Sequence, residues 1–184
     1  ALNYKLIKKI KDERFDVDLI NQYDLLIHLG PRDLQVGVVD SADSRMLLLE
    51  DFVFPSLSSN DDLLKTLEQL FDDHALLKAA FWKTVKVSIK NNKFVQVPQV
   101  LFVEESQAEY LRFNAPVNPE KEDVQSVVNK RSEAITVFTM PHELKEWLVK
   151  LYPNSQLDFL HQSAVLIEGV TQVSEGRKDN PLYI

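Results

Sequence analysis

Four histidines, His28, His74, His142 and His161, are the side chains whose ordinary pKa lies nearest neutrality, so proton-transfer or metal chemistry would start from them. They are far apart in the sequence, and none has a second histidine at i+4, the spacing that puts two ligands on one helix face. With no cysteine, thiolate metal sites and thiol nucleophiles are excluded. Ser163 follows His161 by two positions, but no Gly-x-Ser-x-Gly elbow surrounds it, and a serine before an apolar stretch caps a helix. The carboxylate pairs Asp61-Asp62, Asp72-Asp73 and Glu104-Glu105, and the groups Asp72-Asp73-His74 and His142-Glu143, fall near helix ends, where dipole and solvation account for them. The chain has 4 glycines (Gly30, Gly37, Gly169, Gly176), and no spacing among them forms a Walker loop or a dinucleotide fingerprint. We expect no metal site, no cofactor and no catalytic residue.

Composition narrows the classes further. With 184 residues and 45% hydrophobic residues, the chain can bury a sizeable core. The formal net charge of −7 disfavours broad binding to nucleic acid, which selects a basic surface, and leaves basic protein partners open. Trp82, Trp147, Tyr110 and Phe113 could offer a stacking platform for single strands, but the acidic balance again argues for core packing. No run of about 18 apolar residues is present, so no spanning helix is expected. Residues 1–14 lack the apolar stretch of a signal peptide, and with the missing cysteines this points to the cytoplasm.

The elements that would position these groups follow from periodicity. Tyr4 to Asp12 mixes Leu6, Ile7 and Ile10 with lysines near helical spacing, which suggests a short docking helix or a partly ordered arm. Tyr23, Leu25, Ile27 and Leu29 alternate as a strand, Gly30-Pro31-Arg32-Asp33 is turn chemistry, and Leu34, Val36 and Val38 alternate again. A third strand from Met46 to Phe54 completes a meander. Ser58 to Asp62 supplies capping acceptors for a helix carrying Leu63, Leu67, Leu70 and His74. Val85 to Ile89 and Phe94 to Val97 flank Asn91-Asn92, which predicts a hairpin. A short helix within 103–113, a loop over 114–122 and a buried strand at Ala134 to Phe138 follow. Pro141 starts a helix bearing Leu144, Trp147, Leu148 and Leu151, and Leu157 to Leu160 form a last strand. Ser163 then caps a helix with Leu166, Ile167 and Val170, before a polar tail. This order implies a mixed α/β sheet with helices over its faces.

Several stretches resemble an uncharacterised bacterial domain-of-unknown-function family, family 3822, with an actin-like ATPase fold. They are Phe15-Asp-Val-Asp18, the Tyr23 to Leu29 strand, Phe94-Val-Gln-Val-Pro98 with Leu101-Phe102, Tyr110-Leu-Arg-Phe113, Val137-Phe138 with Pro141, and Tyr152-Pro153 with His161-Gln-Ser163. The resemblance spans about Asp12 to Val170 and is one of pattern and order. It implies a ribonuclease H-like lobe at 15–173, an N-terminal extension at 1–14, and at 174–184 a polar tail or the start of a second lobe. Such ATPases place an Asp-x-Gly turn between their opening strands to hold phosphate and the waters of a metal. The aligned residues here are His28-Leu29-Gly30-Pro31-Arg32-Asp33, with His28 in place of the acid and no amide donor at Pro31. His28, Gly30 and Arg32 are therefore a vestigial phosphate-loop candidate. The resemblance favours a non-catalytic actin-like module acting through protein–protein contacts, with a protein partner and homo-oligomer formation open to it. The alternative is a nucleotide-binding ATPase or a sugar-kinase-like enzyme with atypical phosphate loops.

Overall fold

The computed structural model describes residues 3–163. The helix expected after Ser163 and the polar tail lie outside the described residues. Among the described residues nine strands form two sheets. The larger is a mixed sheet of six strands in the order β1 (Lys5–Lys11), β4 (Arg45–Val53), β3 (Asp33–Asp40), β2 (Tyr23–Leu29), β5 (Thr84–Ile89), β9 (Gln156–His161), and the smaller has the order β6 (Phe94–Pro98), β8 (Ala134–Pro141), β7 (Glu122–Asn129). The described residues divide into two compact units, 3–87 with 144–158 and 88–143 with 159–163.

In the first unit the meander appears as expected. β2 (Tyr23–Leu29), β3 (Asp33–Asp40) and β4 (Arg45–Val53) pair antiparallel in sequence, with Ile27 opposite Val36 and Val36 opposite Glu50. Ile27, Leu29, Val36 and Val38 are buried, so the period-two pattern reports the core face. The helix α1 (Asn60–Asp73) is capped by Ser59, whose hydroxyl accepts from the Asp62 amide, and it buries Leu67, Leu70 and Phe71. After the one-turn helix α2 (Ala75–Lys78) and the start of β5 (Thr84–Ile89), this unit resumes with most of α4 (His142–Leu151) and the first half of β9 (Gln156–His161). Polar tips on buried rings are anchored on backbone carbonyls: Trp82 Nε1 donates to Leu76 O (3.1 Å) and Tyr152 Oη to Leu77 O (2.6 Å). Burial pushes the Tyr152 hydroxyl pKa far up, which keeps it a donor.

The N-terminal segment corrects the expectation of a helix or loose arm. Lys5–Lys11 is the edge strand β1, antiparallel to β4, with a bulge between Leu6 and Lys8. The extra residue breaks the alternation that would have identified it as a strand.

The second unit is built on β6 (Phe94–Pro98), β8 (Ala134–Pro141) and β7 (Glu122–Asn129), with α3 (Gln107–Arg112) packed through Leu111 against Val97, Ile135 and Val137. The expected β5–β6 hairpin does not form. β6 pairs with β8 instead, Gln96 opposite Thr136. The Asn91 side chain donates to Thr139 O (2.8 Å) and accepts from Lys93 N (3.2 Å), so it ties the connection to β8 rather than closing a turn onto β5. Pro141 ends β8, opposite Glu122, and α4 begins one residue later, at His142.

Candidate functional site

His28, Gly30 and Arg32 lie at the end of β2 and in the turn to β3. His28 is half-buried within the strand ladder, opposite Gln35. Gly30 is buried and Arg32 exposed. The Gly30 amide donates to Asp33 O (3.0 Å), and Arg32 O accepts from Phe54 N (2.9 Å). A Cβ at Gly30 would collide with Asp33 Oδ1, so the carboxylate of Asp33 folds directly over the glycine Cα. The turn thus points an acid at the position where open backbone would have to meet a phosphate, and its first amide is already bonded.

Two histidines sit in well-defined networks. His74 is the N-cap of α2: its Nδ1 accepts from Leu76 N and Leu77 N (3.2 Å each), so Nε2 carries the hydrogen and donates to Glu50 Oε1 (2.6 Å). Glu50 is almost wholly buried on β4, with Lys9 Nζ 3.7 Å from its other oxygen. Burial opposes the Glu50 charge, but the His74 hydrogen bond and the nearby Lys9 ammonium win and hold its pKa below the usual range.

His161, 2% exposed, is packed between the rings of Phe94 (centroids 4.4 Å) and Phe138 (5.3 Å). Its Nε2 faces two oxygens of Asn91, the carbonyl (3.1 Å) and Oδ1 (2.9 Å), and must donate. Its Nδ1 accepts from Ser163 Oγ (2.7 Å) and from Ser163 N (3.2 Å). Gln96 Nε2 reaches Ser163 Oγ (3.4 Å), and Gln96 Oε1 accepts from Asn129 (3.1 Å) and Thr136 (2.9 Å). This polar chain occupies one face of the smaller sheet, while the opposite face carries Val95, Val97, Ile135 and Val137.

A hydroxyl on a histidine with an asparagine behind it has the outline of a nucleophile and its base. The geometry favours a cap. The single lone pair of Nδ1 also holds the Ser163 amide, so a proton passed to it would set two donors against each other. Sequence reading named His161 and Ser163 as neighbours but missed Glu50, Asn91, Gln96, Asn129 and Thr136. Glu50, Gln96 and Thr136 show themselves only as polar residues among apolar neighbours on a strand, Asn91 reads as a turn residue between β5 and β6, and Asn129 ends a strand of mixed polarity. Among the described residues no three His, Asp or Glu side chains gather to hold a metal ion, and no helix is long and apolar enough to cross a membrane.

Comparison with known proteins agrees with the architecture. A crystal structure from Bacteroides thetaiotaomicron VPI-5482, described as a protein with actin-like ATPase fold and unknown function, superposes with a TM-score of 0.75 at 25% identity. The match covers 87% of this chain and 60% of that one, so the chain spans less than two thirds of its neighbour's length. No curated protein matches. The mixed α/β fold is therefore of the actin-like ATPase type, as the sequence pattern implied. The family described as "Protein of unknown function (DUF3822)" matches residues 12–184, and the chain belongs to that family.

Proposed function

We propose that this protein is a non-catalytic, actin-like module of the cytoplasm that works by binding other protein surfaces. The observation that supports this reading is the β2–β3 turn. The Gly30 amide is bonded to Asp33 O, Pro31 has no amide hydrogen, and the Asp33 carboxylate lies over Gly30. Phosphate recognition needs open amides and positive potential, and this turn offers neither beyond the exposed Arg32.

Thermal unfolding of the full-length protein with and without ATP and magnesium tests the reading. A ligand at one hundred times its Kd adds about 2.7 kcal/mol of stability. We expect no shift. A clear upward shift, lost on Arg32→Ala, would establish a nucleotide-binding protein with atypical phosphate contacts.

A further inference from the structure

Two exposed surfaces in this chain are apolar at their centres and opposite in charge. The first is β1, the edge strand of the larger sheet, whose seven residues are all exposed. It presents Leu6, Ile7 and Ile10 among Lys5, Lys8, Lys9 and Lys11. Lysines and a bulge protect an edge strand from pairing with a foreign strand, which explains the charges and the break at Ile7. Protection does not explain three large aliphatic side chains left in water.

The second surface belongs to the smaller sheet's unit. Val100 is 92% exposed, Leu101 65% and Phe113 93%, and Val103 is half-exposed. Tyr110 Oη donates to Leu101 O (3.0 Å) and accepts from Val103 N (2.9 Å), fixing the 101–103 segment against α3, and Phe113 directly follows the end of that helix. Glu109 lies one helical turn before Phe113, and Glu104 and Glu105 precede the same helix. Between 99 and 113 there are three glutamates against the single cation Arg112.

We propose that these surfaces bind each other between two copies of this chain, the basic aliphatic strand of one against the acidic apolar surface at Val100–Phe113 of the next. The bulge at Ile7 disfavours strand addition, so the contact is made through side chains. Contact of β1 with β1 would oppose lysines, and contact of the acidic surface with itself would oppose glutamates; only the mixed contact satisfies charge on both sides. A contact between two different faces closes reciprocally in a two-fold dimer or runs head to tail beyond it, and in either form it is made by the same pair of surfaces.

The inference rests on the interaction reading above and names a second copy as its partner. Sedimentation velocity of the purified full chain over a range of concentrations tests it. The mass should rise above that of the monomer with concentration and fall back when salt is raised from about 0.05 to about 0.5 M, where the screening length shrinks to a few ångströms. Lys5→Glu with Lys11→Glu should weaken assembly at least about tenfold, as should Glu104→Lys with Glu109→Lys. Lys8 and Lys9 are left in place because they face Asp51 and Glu50. Mixing the two variants should restore assembly through the reversed pair of faces, a rescue that misfolding cannot mimic. A monomer at every concentration, a closed dimer indifferent to these changes, or a mixture that fails to recover would overturn the proposal. A monomer with no nucleotide-induced shift in melting would sink this contact alone and leave the non-catalytic reading standing. A shift with intact assembly would do the reverse.

Discussion

His161 shows how one buried side chain can organise a segment and make it sensitive to acid. Burial holds its pKa below the ordinary imidazole range, with the Asn91 carbonyl pulling weakly the other way. Folding therefore favours the neutral ring. The stability this provides is fully present above the unfolded value of about 6.5 and is lost as pH falls through that value toward the lowered folded one. Among the described residues the groups that contact the ring are Phe94, Phe138, Asn91 and Ser163, none of them charged, so none of these compensates a positive imidazolium. Lowering the pH from 7.5 to 5.5 should depress the melting temperature of the wild type more than that of His161→Gln, which cannot titrate. Parallel slopes would assign the acid sensitivity to other groups. Glu50 and Glu122 do not confuse the window, because both are held below the usual carboxylate range and are lost only at lower pH.

At the level of elements, α4 tests how far helical spacing reports burial. Leu144, Trp147, Leu148 and Leu151 share the expected side, yet only Leu144 and Leu148 are buried, while Trp147 and Leu151 are half-buried. Trp147 stacks edge-on against Phe71 at 4.8 Å, so its ring is anchored but still meets water. Trp147→Ala should cost about 2 kcal/mol, less than the ~3–5 of a fully buried ring, and Leu148→Ala about 3 kcal/mol. Urea unfolding of both variants checks the order, and a Trp147 loss under about 0.5 kcal/mol would place that ring on a binding surface instead. The same contrast explains what the sequence could disclose. β2, β3 and β4 were legible because one face of each is buried and short turns join neighbours. β7 was not, because Val124, Val127 and Val128 change sides among polar residues and only Asn129 is buried. Period two marks a strand without naming its partner, so β6 was assigned to β5 when the Asn91 side chain directs it to β8. The candidate site was legible as a turn and illegible as geometry, since nothing local shows that Asp33 folds back over Gly30.

Across the whole molecule, the open question is whether an actin-like fold implies ATP hydrolysis. Fold alone does not settle function, because many activities share one architecture. Phosphoryl transfer is mostly positioning and electrostatics: a metal's waters must be anchored, and donors must surround the transferred group. In this chain the aligned turn carries His28 inside a strand ladder where an acid would hold those waters, and its Gly30 amide bonds to Asp33 O. Asp33 adds a negative group over the same spot, which raises the cost of bringing in a polyphosphate. Arg32 alone could attract a phosphate, so weak association would be compatible with this arrangement while turnover would not. The purified chain should therefore release no phosphate from ATP above the magnesium-only background. Arg32→Ala should leave that rate unchanged, and Asp33→Asn, which relieves the repulsion, should raise phosphate affinity without creating turnover. Magnesium-dependent release by the wild-type chain, abolished by Arg32→Ala, would show that the turn is a working phosphate loop.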